Sequence, residues 1–240
     1  MLNFNTLAWA AFCNYYRTCG DRPYIKLLAD RQFISRLRFF PQEISPKEFE
    51  HKVLFGYVNV VNYDLLVGCK LAETVLATID RLQPDITVLL ASSITDIDIE
   101  DRALIDSIGR IYAELTTIQG LWITGASKIA HLLNDRLLPI CGLDVIEHFQ
   151  KISTGQTFDH RIWLKQIKHD AHLVIDDFHQ SNHPSDTLEK YLSNKLGYQE
   201  KGVTKSVVKY LDEYYWLKYV EKITLPPNWV PDQLTIPIKV

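Results

Sequence analysis

Apolar residues recur at intervals of three and four along most of the chain, which is the spacing of one face of an α-helix. The clearest case lies between Asp98 and Thr117, where the predicted buried stripe is Leu104, Ile105, Ile108, Ile111, Tyr112 and Leu115. Similar patterns predict long helices from about residue 65 to 82, 158 to 179 and 203 to 223. The pattern therefore predicts an all-α fold.

Local signals predict where several helices begin and end. Gly20 is expected to end the first helix, and a second helix is expected from Tyr24 to Phe40. Ser45-Pro46-Lys47-Glu48 predicts a helix start with Ser45 as the N-cap and Glu48 reaching back to the cap amide. A second capping box is predicted at residues 186–189. Pro84 is expected to follow the end of a long helix.

The domain organisation follows from these elements. We expect one compact all-α domain over residues 1–240, with about nine to eleven helices in one or two lobes. Residues 224–240 contain four prolines and are predicted to form an extended tail along the surface.

Composition agrees with a folded globular protein, because 47% of the residues are hydrophobic and 23% are charged. No apolar run approaches the roughly 20 residues that a membrane span requires. The first 20 residues lack the basic region and cleavage pattern of a secretory signal. We therefore expect a cytoplasmic protein with no membrane partner.

Charge is distributed unevenly along the chain. The net charge of −3 argues against non-specific coating of nucleic acid. Basic residues are nevertheless concentrated near both ends: Arg17, Arg22, Lys26, Arg31, Arg36 and Arg38, then Lys190, Lys195, Lys201, Lys205, Lys209, Lys218 and Lys222. Folding could bring the two sets together on one face, but solvated helix faces explain the same charges equally well.

The four cysteines are scattered and form no CxxC pair. Cys13, Cys19, Cys69 and Cys141 therefore predict neither a zinc knuckle nor a disulfide framework. Free and mostly buried thiols are expected.

The segment with most chemical content is GASKIA, residues 125–130. Gly120 and Gly125 indicate a turn, and Thr124 or Gly125 is expected to start the helix that carries Lys128. Free amides at a helix N-terminus favour an anion, so a phosphate is a natural ligand there.

The run GASKIA, together with the downstream Pro139 and Asp144, resembles the helix-hairpin-helix DNA glycosylases. The resemblance covers roughly residues 118–149. It implies an all-α fold with a helix-hairpin-helix element. It also implies cleavage of the N-glycosidic bond of a flipped-out base in double-stranded DNA, by a monomer without a cofactor or metal.

The resemblance assigns the catalytic roles to Lys128 and Asp144. Breaking an N-glycosidic bond builds positive charge on the sugar, which a carboxylate such as that of Asp144 stabilises. A lysine with a lowered pKa attacks as a neutral amine and forms a Schiff base, which would make Lys128 the nucleophile of a bifunctional enzyme. Whether the enzyme is also a lyase stays open.

A flipped base also needs a pocket with aromatic walls and polar readers. The candidates for this base pocket are Trp122, Tyr63, Tyr112, Asn59, Asn62 and His131. The candidates for binding the DNA backbone are Gly120, Thr124, Gly125 and Ser127. The identity of the base is open between an oxidised purine, an alkylated purine and a phage-type modified cytosine, the last of which would indicate phage defence.

A rival constellation lies at residues 168–183. Its imidazoles and carboxylate share one helical stripe with spacings of three and four: His169, His172, Asp176, His179 and His183. His169-Asp170 also resembles the HD pair of the all-α metal-dependent phosphohydrolases, where His131 or His148 and Asp212 would have to complete the metal site. A third interpretation is a non-catalytic helical module that binds nucleic acid or protein, with Lys128 as a phosphate contact.

Overall fold

The described part of the chain is built from helices, as the sequence predicts, and contains no strand. The structure is a computed structural model that describes residues 2–15, 21–59, 65–152, 160–181, 183, 187–224 and 229. Its α-helices are α1 (Phe4–Cys13), α2 (Asp21–Ala29), α3 (Arg31–Phe39), α4 (Pro46–Phe49), α5 (Leu65–Arg81), α6 (Gln83–Leu89), α7 (Arg102–Thr116), α8 (Trp122–Leu133), α9 (Leu143–Ile152), α10 (His160–Gln180), α11 (Leu188–Lys195) and α12 (Val207–Tyr215).

Four further helical segments complete these elements. Two are 3-10 turns, at Pro41–Glu43 and Gln199–Lys201. The other two are π-helical: Glu50–Val58 continues α4, and Trp216–Val220 continues α12. The π-helical segment Glu50–Val58 matters for the site because its last residues lie beside α8.

One predicted helix is divided in the structure, and another is followed at once by a further helix. The helix expected from Tyr24 to Phe40 breaks at Asp30, whose carboxylate accepts a hydrogen bond from the Phe33 amide and so starts α3. Pro84 follows the end of α5 at Arg81, as predicted. It lies in the first turn of α6, where its missing N–H costs nothing.

The capping signals are partly confirmed. The Ser45 hydroxyl accepts a hydrogen bond from the Glu48 amide and starts α4, as predicted. The Glu48 carboxylate forms ion pairs with Arg36 and Lys52, each at 2.8 Å. These ion pairs replace the predicted hydrogen bond from the cap amide to Glu48. The N-cap of α11 is Thr187, which accepts from the Lys190 amide.

Helices α7 and α8 pack against each other and are joined by a short turn. Gly120 has φ of +91° in this turn, a conformation that glycine adopts without steric cost. Helix α8 begins at Trp122, earlier than expected, so Gly125 lies inside the helix instead of at its start. A Cβ on Gly125 would approach the Val58 side chain to 3.1 Å and the Leu121 side chain to 3.2 Å. Gly125 thus permits close packing of α8 on the π-helical segment.

Helix α12 lies at the centre of the packing. It contacts α1 on one side and α10 on another, and its residues from Val207 to Leu211 are buried. Helix α9 packs against the π-helical segment Trp216–Val220 that follows α12. The bundle therefore surrounds α12 with apolar side chains, which makes the charged residues on this helix unusual.

The predicted tail, residues 224–240, lies outside the described residues apart from Thr224 and Trp229. The Trp229 side chain is partly buried against the core. None of the helices in the described ranges combines the length and apolar character needed to cross a membrane.

Two helical glycines offer a matched test of this packing. Gly109 in α7 has no atom within 4 Å of the place a Cβ would take, so Gly109→Ala is expected to raise the free energy of unfolding by about 0.5–1 kcal/mol. Gly125→Ala is expected to gain less, because its methyl group must displace Val58 and Leu121. Urea denaturation of both variants checks this, and an equal gain at the two positions would contradict the close contact.

Candidate functional site

Lys128 lies on α8 with its side chain partly withdrawn from solvent. Its ammonium group donates to the backbone carbonyls of Tyr57, at 3.3 Å, and Val58, at 3.4 Å. The same nitrogen lies 5.5 Å from the centre of the Tyr57 ring. These contacts place the amine at the C-terminal end of the π-helical segment, where backbone carbonyls lack helical partners.

The surroundings of Lys128 lower its pKa below the usual value for lysine. Burial is the largest cause, because it disfavours the charged ammonium, and the positive charge of Lys209 acts in the same direction. The Asp212 carboxylate opposes both by favouring the charged form. Lys128 is therefore a lysine whose neutral, nucleophilic form is easier to reach than in an exposed lysine.

Helix α12 and the residues before it bring further charges into the interior. The Lys205 ammonium and the Glu213 carboxylate are 2.5 Å apart, and their side chains are 0% and 1% exposed. Lys209 lies 2.8 Å from Asp212 and 3.4 Å from Glu213. Taking such charges out of water costs several kcal/mol for each ion, so they persist only because they are paired.

His131 connects this charged group to α2. Its Nδ1 lies 2.7 Å from the Leu138 carbonyl, which can only accept, so Nδ1 carries the proton. Its Nε2 lies 3.0 Å from the Tyr24 hydroxyl and accepts from it. Burial lowers the pKa of His131, in keeping with a neutral ring. The Lys209 ammonium lies 5.6 Å from the centre of the Tyr24 ring, which links the histidine to the ion pairs of α12.

We call this set the buried polar cluster: Tyr24, Tyr57, Lys128, His131, Lys205, Lys209, Asp212 and Glu213. The sequence signal for it is the i, i+4, i+8 spacing of Lys205, Lys209 and Glu213, which places three charges on one helical face. The same spacing is typical of a solvated charged helix face, so the sequence alone does not indicate that these residues are buried. Only the packing of α12 in the interior reveals that the charges are buried.

Asp144, the predicted catalytic carboxylate, is not among the charged groups that shift the pKa of Lys128. The Asp144 side chain is exposed on the first turn of α9, and α9 packs against the π-helical segment Trp216–Val220. The carboxylate that acts on the Lys128 amine is that of Asp212. Asp144 is well placed for an ordinary first-turn acid, since a negative charge near a helix N-terminus is stabilising.

Four other predicted site residues are internal and need correction. Ser127 is 0% exposed, and its hydroxyl accepts from the Cys141 amide at 2.9 Å, so it cannot reach a DNA backbone. Gly125 is enclosed by packing on the π-helical segment. The Tyr112 hydroxyl donates to the Pro139 carbonyl at 2.6 Å, and the residue is buried. His131 uses both ring nitrogens inside the protein, so it is no base reader.

The remaining candidates lie at the surface or outside the described residues. Trp122 is 77% exposed and has φ of +52°, which is uncommon for a bulky residue. Gly120 is exposed and Thr124 is half-buried near the start of α8. Asn59 is exposed and has φ of 56°, where it ends the π-helical segment. Asn62 and Tyr63 lie outside the described residues.

The histidine stripe of α10 is divided between different environments. His169 is exposed, whereas Asp170 is buried and accepts from the Tyr215 hydroxyl at 2.5 Å, so the HD pair points in two directions. The His183 ring stacks on Phe178 at 5.0 Å. Among the described residues, no three His, Cys, Asp or Glu side chains are grouped so that they could hold a metal ion.

Comparison of the chain with protein-family models, curated proteins and solved structures finds no match.

The buried ion pair predicts an asymmetric response to substitution. Lys205→Met leaves the Glu213 charge in the interior with a poorer partner, so we expect the free energy of unfolding to fall by about 3–5 kcal/mol. Arg81→Met is the control, because Arg81 and Glu114 form an ion pair at 2.6 Å with side chains 62% and 45% exposed. That change should cost about 1 kcal/mol or less. Urea denaturation measures both, and similar costs would contradict the burial of the Lys205–Glu213 pair.

The pKa of Lys128 should respond with opposite signs to its two charged neighbours. Lys209→Met removes a positive charge and should raise the Lys128 pKa, whereas Asp212→Asn removes a negative charge and should lower it further. NMR pH titration of lysine side chains measures this, with the Lys128 signal assigned by its loss in Lys128→Arg. Shifts in the same direction for both variants would show that the cluster does not control this amine.

Proposed function

We propose that the protein is a DNA glycosylase that removes a modified base from double-stranded DNA, with Lys128 as the nucleophile. The observation that carries this proposal is the environment of the Lys128 amine. It is withdrawn from solvent, its pKa is lowered by burial and by Lys209, and a carboxylate acts on it. Burial and Lys209 increase the share of the neutral amine, which is the form in which a lysine attacks an electrophilic carbon. The resemblance of residues 118–149 to the helix-hairpin-helix DNA glycosylases supports the same class of reaction.

The proposed reaction begins with the neutral Lys128 amine. Its Nζ attacks C1′ of the flipped-out nucleotide, the bond from C1′ to the base nitrogen breaks, and the base leaves with the electron pair. The proton lost by Nζ passes through the Asp212 carboxylate to the departing base. The adduct then opens to a Schiff base, which water hydrolyses to an abasic site and free lysine, unless strand cleavage follows. The Asp212 carboxylate also stabilises the positive charge that develops on the sugar.

Asp212 takes the role that the sequence suggests for Asp144. Its side chain is 18% exposed, so substrate could approach it, and its salt bridge with Lys209 holds it in place at 2.8 Å. The exposed Trp122, on the helix that carries Lys128, presents an aromatic surface to the DNA. The enzyme would act as a cytoplasmic monomer, and the class of base it removes is to be defined by experiment.

The test is to trap the covalent intermediate. Duplexes containing an oxidised purine, an alkylated purine or a bulky modified cytosine are incubated with the protein, and abasic sites are measured with and without borohydride. Borohydride delivers hydride to the Schiff base and leaves a stable protein–DNA adduct. We expect at least one duplex to give both products. Lys128→Arg should abolish trapping, because it keeps the positive charge but has no nucleophilic amine.

The control is Lys168→Arg. The Lys168 ammonium also donates to a backbone carbonyl, that of Ile97 at 2.7 Å, so the two substitutions remove similar contacts. This variant should trap DNA normally. Asp212→Asn should slow base release by about 100-fold or more, whereas Asp144→Asn should have little effect. Trapping that persists in Lys128→Arg, or the absence of abasic sites with every duplex, would refute the proposal.

A further inference from the structure

A groove of about 410 Å³ lies between α3 and residues 202–204, at the C-terminal end of α8. Its volume is in the range of small-ligand pockets, roughly 300–1,000 Å³. Leu28, Ile34 and Val203 supply its apolar lining. Arg31 and Phe39 line the same groove from α3. We call this feature the α3 groove.

Two aromatic rings are exposed at the end of α3. Phe39 is 47% exposed and Phe40 is 49% exposed, with ring centres 6.4 Å apart. Exposed aromatic rings contribute little to folding, and adjacent exposed apolar groups often mark an interaction site. A nucleic-acid base is a suitable partner, because every base has a π-face that stacks on an aromatic side chain.

A cation lines the α3 groove at the opposite end of α3 from these rings, about 12 Å along the helix from Phe39 and within the span of two or three nucleotides. Arg31 is exposed, and one of its terminal nitrogens donates to the Gly202 carbonyl at 3.0 Å. A guanidinium has five N–H donors, so the contact with Gly202 orients the group and leaves further donors facing the groove. Arg38 is held more tightly, by the Leu132 carbonyl and the Asp135 carboxylate, both at 2.9 Å. Arg31 is therefore the cation that is better placed to meet a ligand.

We infer that the α3 groove binds a single-stranded segment of nucleic acid, with a base stacked on Phe39 and a backbone phosphate on Arg31. The cation and the exposed rings together favour single-stranded nucleic acid as the ligand. The positive charge complements a phosphate, and the exposed rings complement an unpaired base, which a duplex does not offer because its bases are stacked on one another. The Ser35 and Thr204 side chains, which also line the groove, supply hydroxyl groups for the sugar and phosphate oxygens.

This inference does not depend on chemistry at Lys128. Asp135, which lines the groove, lies beyond the end of α8 at Leu133, and Lys128 is not among the residues that line the groove. The groove is thus a site distinct from the Lys128 amine. The oligonucleotide used below contains no modified base, so its binding to the groove and the borohydride trapping at Lys128 are separate measurements, and failure of one proposal can be told from failure of the other.

The experiment measures binding of a fluorescent oligothymidylate of about ten nucleotides by fluorescence anisotropy at low salt. Phe39→Ala should weaken binding roughly 5- to 150-fold through lost stacking. Arg31→Gln should reduce the slope of log affinity against log salt by about 0.7, the contribution of one phosphate contact on a single strand.

Matched controls exist for both substitutions. Phe55 is 38% exposed but does not line the groove, so Phe55→Ala should bind normally. Arg102 follows an aspartate N-cap at the start of α7, as Arg31 does at the start of α3, so Arg102→Gln should keep the full salt slope. Photo-crosslinking of a bromodeoxyuridine oligonucleotide to the unaltered protein gives a second measurement, with adducts expected within residues 28–40 or 202–204.

Several outcomes would overturn the inference. These are the absence of binding at low salt, equal loss of affinity in the Phe39 and Phe55 variants, and crosslinks confined to other segments. A different result would identify the α3 groove as a protein interface. In that case the unaltered protein would not bind the oligonucleotide, light scattering would show that it self-associates, and the Phe39→Ala variant would be monomeric.

Discussion

The ion pairs around α12 impose the strongest physical constraint on this fold. Lys205 and Glu213 lie almost wholly out of solvent, and Lys209 joins them to Asp212. A charge buried without its partner costs several kcal/mol, so α12 is stable only in the register that brings these groups together. Because the Lys209 ammonium also lies near the Tyr24 ring, the same constraint ties α12 to α2. The electrostatic environment of Lys128 is a consequence of that register.

Helix type and several boundaries could be predicted because their causes are local. The Ser45 cap and the apolar stripe of α7 are set by neighbouring residues, and both are present in the structure. The break at Asp30 was missed because the apolar spacing continues through it, whereas the aspartate cap competes with the helix. The pattern does not predict α6, which starts at Gln83 with Pro84 in its first turn, because proline both ends and begins helices.

The candidate site was less predictable because burial is a tertiary property. Ser127 and His131 have the chemistry of binding residues, but their hydrogen bonds to Cys141 and Leu138 connect α8 to the following segment. Lys205 and Lys209 belong to the C-terminal group of lysines, for which the sequence predicts either a solvated basic face or part of a surface that binds nucleic acid. In the folded chain both are internal. What sequence identified correctly is the position of Lys128 on a helix.

The contact between Lys128 and the π-helical segment gives the amine a second role. Its ammonium hydrogens satisfy carbonyls at the end of that segment, as a positive charge does at a helix C-terminus. An imine nitrogen formed from the same amine carries at most one hydrogen and cannot serve both carbonyls. Under the proposed mechanism, covalent capture of Lys128 would thus leave at most one of the carbonyls of residues 57 and 58 with this donor, so reaction at the amine would weaken the anchoring of this helix end. Each turnover would then weaken and restore the hydrogen bonds at residues 57 and 58.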